Sequence, residues 1–174
     1  DELRPFYFYS REKIKIFTNK ETSNFLLKRF NYLFEKSETS QSYFQPPLEM
    51  HEIGYFEELT VNDIKINTIK QNHGVIDTLG FIFNNIFAYC TDVVGFPEKS
   101  FKQLHNMKVL IITGLRQSPH TAHAHFDLSF DWIAKLNPEV AYLTHLSPES
   151  DHDVVTNLCP PNTYPAYDGL VLNI

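Results

Sequence analysis

Three residues of this chain have the types and positions that bind a divalent cation: His73, Asp92 and His145. Each closely follows an apolar, strand-like run: IKINTI at 64–69, IFAYC at 86–90 and VAYL at 140–143. A residue just past a strand projects from that strand's carboxyl end, and in α/β sheets those ends line the crevice where ligands bind. Two imidazoles and a carboxylate at such an edge make a metal-ligand set of mixed nitrogen and oxygen donors. Gly74 directly after His73 lets the backbone turn sharply and aim the imidazole into a cleft. The two oxygens of Asp92 can each bind one cation, so this carboxylate is suited to bridging a pair. Taken singly, His73 and His145 also fit surface loops, and Asp92 fits a turn or a helix cap. The recurrence of one geometry at three strand ends favours the metal reading.

A second feature is the segment His120-Thr121-Ala122-His123-Ala124-His125, which holds three of the eight histidines. In an extended segment His123 and His125 fall on one side. Imidazoles near a metal can hold an anionic ligand or move a proton, because they titrate near working pH. A solvated loop before a helix is the plainer reading of the same residues. Arg116 suits a phosphate contact or a pairing with an acidic side chain. Cys90 reads as a small buried hydrophobe, Trp132 as a packing residue, and the acidic run around Asp151 as the cap of a helix.

Strands and helices interleave along the chain. Strands are predicted at 13–17, near 51–53, over 59–69, at 109–112 and at 169–172. The run FIFNNIF (81–87) has the form of a hairpin, because asparagine tolerates positive φ in a short turn. Helices are predicted over 20–34, opened by a Thr18–Glu21 capping box, from Pro97, over 127–136 and over 150–158. Residues 36–47 read as a loop. The alternation defines an α/β class with an antiparallel hairpin in the middle, and the chain is read as one domain over residues 1–174.

Composition narrows the function. The apolar content of 43% supports a packed core. A net charge of −6 opposes a broad nucleic-acid footprint but not a small phosphorylated ligand held by metal. Two cysteines without a CxxC spacing imply no disulfide framework, so a cytoplasmic protein is expected. No apolar run approaches membrane-spanning length, and no membrane partner is expected.

The stretches DELRPF (1–6), NHG (72–74), TDV (91–93), GLRQSPHTAHAHFDLSFDWIAKLNP (114–138), LTHLS (143–147) and AYDGL (166–170) resemble, in order, the greater part of a metallo-β-lactamase-fold hydrolase. The similarity is to the phosphoribosyl 1,2-cyclic phosphate phosphodiesterase-like proteins in particular. The resemblance implies a partial αββα sandwich with mixed sheets and two divalent cations, zinc or manganese. It implies metal-ligand roles for His73, Asp92 and His145 and a catalytic role at the scissile phosphate for His123. His125 is expected to contact substrate. The implied activity is hydrolysis of a small cyclic or nucleotide-like phosphodiester. The alternatives are a nuclease or cyclic-nucleotide phosphodiesterase of the same superfamily, or a non-catalytic binding module. The family's H-x-H-x-D-H motif does not occur in these 174 residues; it is expected upstream of Asp1, with the remaining metal ligands. A partial sandwich is expected to leave an apolar face free for a homodimer.

Overall fold

The computed structural model describes residues 2–36 and 45–174. It divides into two compact units, Asp1–Gly54 and Tyr55–Ile174. The first unit opens with helix α1 (Arg4–Ser10), which has a proline in its first turn and ends on left-handed Arg11. Strand β1 (Ile14–Thr18) leads into helix α2 (Lys20–Phe30), and β2 (Leu48–Glu52) returns to pair with β1 in parallel, Ile14 opposite Leu48. The helix over 20–34 is thus found, its last turn tightened to 3-10 geometry at Asn31–Leu33. The expected capping box is not: Thr18 is the last residue of β1, and Asn19 is the cap, its side-chain oxygen accepting from the Thr22 amide at 2.8 Å. Most of the predicted loop, residues 37–44, lies outside the described residues.

The second unit is a seven-stranded sheet in the order β3 (Glu58–Val61), β4 (Ile64–His73), β5 (Ile76–Phe83), β6 (Phe87–Cys90), β7 (Val109–Thr113), β8 (Val140–Thr144), β9 (Thr163–Pro165). Pairs from β3 to β6 are antiparallel and those from β6 to β9 parallel. Each parallel step is crossed by a helix: α3 (Glu98–Gln103), α4 (Phe126–Leu136) and α5 (His152–Leu158). The α/β class and the mixed sheet therefore match the expectation. Asn84 and Asn85 take φ of 51° and 55°, and the Ile86 amide closes the turn onto the Phe83 carbonyl at 2.9 Å. These are the left-handed conformations that the Asn-Asn pair predicts.

Two elements differ from the sequence reading. The single strand expected over 59–69 is two strands, β3 and β4, joined by the two-residue turn Asn62-Asp63 with Asn62 at φ 52°. The closing strand is Thr163–Pro165, not 169–172. Asn162, at φ 57°, turns the chain after Pro160 and Pro161, and its carbonyl accepts from Ala141, which docks the next residues beside β8. Among the described residues, 170–174 find no strand to pair with, and apolar alternation without a partner edge does not make a strand.

The core lies on one face of this sheet. Ile82, Ala88, Leu110 and Ala141 face one another across four strands and are at most 3% exposed. The alanines leave room for Trp132, Ile133 and Leu136 of α4. Trp132 also meets Phe96 edge-on at 4.9 Å between centroids. Cys90 is wholly buried in the same cluster, and burial pushes its thiol far up, as expected of a packing residue. No helix among the described residues is long and apolar enough to cross a membrane.

Leu110 sits at the centre of this cluster with no exposed surface. Leu110→Ala is expected to destabilise the fold by about 2–5 kcal/mol, read by urea unfolding. A loss below about 1 kcal/mol would mean the cluster does not organise the sheet.

Candidate metal centre

Strand direction decides where the site lies. β4 and β6 flank β5 and are both antiparallel to it, so they run the same way, and β7, β8 and β9 run parallel to β6. The carboxyl ends of these strands thus share one sheet edge. His73 is the last residue of β4, Asp92 lies two residues past β6, and His145 one past β8. The His-rich segment lies between β7 and α4, at the same edge.

The local backbone is unusual at each point. Asp92 and His145 adopt left-handed φ of 56° and 63°, and Gly74, next to His73, takes 77°. Asp and His are among the non-glycine residues that tolerate this region. Gly74 is also a point of close approach: a Cβ there would lie 3.1 Å from the Thr121 carbonyl oxygen. Glycine at 74 therefore lets the His-rich segment settle onto the end of β4. The segment is tied further by Ala124, whose amide donates to the Val93 carbonyl at 2.7 Å, and by Leu115, which donates to Ala124 at 2.9 Å.

The side chains converge on one carboxylate oxygen. His73 Nε2 and His145 Nε2 are each 3.8 Å from Asp92 Oδ1, and His123 Nδ1 is 3.7 Å from it. His73 Nε2 and His123 Nε2 are 3.3 Å apart. The His123 ring stacks on His145 and meets His73 edge-on, with both centroids at 4.6 Å. Donors bonded to one ion at ~2.1 Å in tetrahedral geometry sit roughly 3.4 Å apart, so this spacing suits a shared cation. His73, Asp92 and His123 each offer a donor atom, all within 4.8 Å of one another. His123 Nδ1 is buried with no hydrogen-bond partner among the described residues, a state that a nearby cation or a bound anionic oxygen would relieve. The residues present therefore fit a divalent cation, and His123 lies as close to the centre as the ligands the sequence singles out.

His120, to which the sequence reading gives no role, belongs to this assembly. Its Nδ1 accepts from the backbone amides of Ala122 and His123 at 3.2 and 3.3 Å, and its ring is 5.1 Å from that of His123. It closes the turn that presents His123, a contact that spacing alone does not reveal. His125 is the residue before α4, and its carbonyl accepts from the Ser129 amide at 3.1 Å. Among the described residues no hydrogen bond, ion pair or ring contact links it to the other four. Arg116 takes the acidic partner of its two expected options, Glu149 at 3.4 Å. Asp151 caps α5 as expected, accepting from the amides of Asp153 and Val154.

The beta-lactamase superfamily domain family matches residues 1–146, and this chain belongs to that family of metal-dependent hydrolases. Among solved structures it is similar to a diphosphatase from the PhnP family, at 26% identity and a TM-score of 0.79, covering 91% of this chain and 57% of that one. The metallo-beta-lactamase fold protein YhfI from Bacillus subtilis matches at 13% identity and a TM-score of 0.71, over 99% of this chain and 72% of that one. The short form of human tRNase Z matches at 12% identity and 0.65, over 95% and 68%. The last two likenesses speak to fold alone. The chain spans little more than half of the diphosphatase. No curated protein sequence matches it.

His123 has its pKa lowered below the usual imidazole value. Burial is the main cause, reinforced by His145 and His73 and partly opposed by Asp92. A lowered folded-state value means that acidification protonates the unfolded chain first. Stability linked to this group is therefore present above about pH 6.5 and lost as pH falls through the lowered folded-state value. In metal-free protein, the His123 ring signal followed by NMR is expected to titrate below about 6.5. A midpoint above that would mean Asp92 dominates its environment.

Proposed function

We propose that this chain carries the metal-binding edge and phosphate-handling histidine of a hydrolase acting on a small phosphodiester. The observation that carries this reading is the placement of His123 against the other three, 3.3 Å from His73 Nε2, 3.7 Å from Asp92 Oδ1 and stacked on the His145 ring at 4.6 Å between centroids. His73, Asp92 and His145 are the proposed ligands. A mixed nitrogen and oxygen set suits zinc or manganese without choosing between them. Divalent cations at this edge, two in the whole enzyme, would supply Lewis acidity toward the phosphoryl oxygens.

The chain's own residues account for the rest. Burial and the imidazoles around it favour the neutral form of His123 in the free site. An entering phosphodiester brings negative charge beside the ring and favours its protonated form. His123 then donates to a phosphoryl oxygen or gives its proton to the leaving alcohol. His120 fixes the turn from which His123 projects. An open cavity of about 340 Å³ begins at His145 and is lined also by Thr144, Leu146, Ala166, Tyr167 and Asp168. It offers room for the alcohol portion of a small substrate beside the cluster. The negative net charge of −6 weighs against long nucleic acids. The likeness to a PhnP-family diphosphatase supports hydrolysis at phosphorus in general.

In the full-length protein, His123→Ala is expected to lower turnover of a small phosphodiester on the order of 10²-fold while metal content stays unchanged. Metal analysis beside steady-state kinetics checks this. Loss of metal together with activity would make His123 a ligand rather than the proton donor.

A further inference from the structure

Asp92 is gripped from the two strands beside it. Gln71 of β4 is fully buried and stands opposite Thr78 of β5. Its amide nitrogen donates to Thr78 Oγ1 at 3.2 Å and to the Thr91 carbonyl at 2.8 Å. The Thr78 hydroxyl in turn donates to the Asp92 carbonyl at 2.8 Å. These two carbonyls belong to the peptide planes on either side of the Asp92 Cα. Peptide planes are rigid, so holding both oxygens fixes φ and ψ of Asp92 together. That residue is the one whose left-handed φ of 56° is strained for a side chain with a Cβ.

Two further observations indicate that this arrangement is not ordinary packing. A Cβ on Gly80 would sit 2.5 Å from Gln71 Oε1, so glycine is what leaves room for the amide. Gln71 Oε1 is itself buried and has no hydrogen-bond partner among the described residues. An unsatisfied buried acceptor costs about 1–3 kcal/mol, a cost that an apolar side chain would avoid. A polar group kept under such a cost is explained by the geometry it imposes.

We infer that Gln71 and Thr78 are positioning residues, with Gly80 making room for them, and that together they set the Asp92 carboxylate in its cation-binding orientation. The inference rests on the reading of Asp92 as a metal ligand. Outer hydrogen bonds of this kind tune metal affinity by holding a ligand in place before the ion arrives.

The test uses full-length protein and Zn2+, with affinity measured by calorimetric competition against a chelator and metal-free stability by thermal melting. Thr78→Val keeps the volume and removes the hydroxyl; Thr78→Ser keeps the hydroxyl and removes volume. The clamp predicts that Val loses roughly ten- to a hundredfold in Zn2+ affinity, while Ser stays near wild type. A packing role predicts the reverse order, and that result would overturn the inference. Gln71→Leu should produce the same loss from the other end of the clamp, and it decides the matter if Thr78→Val does not fold. Wild-type affinity in a folded Thr78→Val or Gln71→Leu protein would also overturn it. Asp92→Ala separates the two levels: if it binds Zn2+ like wild type, the ligand reading of Asp92 fails, independently of the clamp.

Discussion

A site at the edge of a sheet requires the chain to turn at a strand's end without carrying its side chain away from that edge. Here the turn is made by left-handed backbone at Asp92 and His145 and by Gly74 beside His73. Each non-glycine residue in that region costs roughly 1–2 kcal/mol relative to ordinary backbone, and the surrounding hydrogen bonds must outweigh this. The residue types that tolerate the region best are asparagine, aspartate and histidine. The last two are also metal ligands, so one backbone requirement selects both the turn and the chemistry.

The rest of the unit keeps those turns in register. Because β4 and β6 run the same way past β5, and the later strands run parallel to β6, the ends come together without any long loop reaching across. The buried row of Ile82, Ala88, Leu110 and Ala141 fixes the spacing of the strands beneath them. The segment after β7 is then pinned from two sides, by Val93 through Ala124 and by the close approach at Gly74. His123 reaches the cluster because its loop has little freedom. Burial, reinforced by the three other imidazoles around it, lowers its pKa.

Much of this was legible in the sequence because it depends on local rules. Apolar runs ending in His, Asp and His marked the strand ends, and Asn84-Asn85 marked the hairpin that sets the strand directions. Gly74 signalled a turn, though not that its missing Cβ also admits another segment. Other features depend on partners far along the chain. The strand expected over 169–172 has the right pattern but no neighbouring edge among the described residues. The break at Asn62-Asp63 sits inside a run that looks continuous. The Thr18 cap was displaced by one residue because pairing with Glu52 keeps Thr18 extended. His120 and Gln71 act through backbone groups, which no side-chain spacing announces.

The proposed site has imidazole nitrogens and a carboxylate from separate strand ends sharing a cation at this edge. X-ray absorption at the zinc edge of the zinc-loaded protein tests it most directly. Only nitrogen and oxygen neighbours at about 2.0–2.2 Å are expected, with the outer scattering of bound imidazole, and part of that scattering is expected to be lost in His73→Ala. Sulfur at about 2.3 Å, or an oxygen-only shell unchanged in His73→Ala, would contradict it.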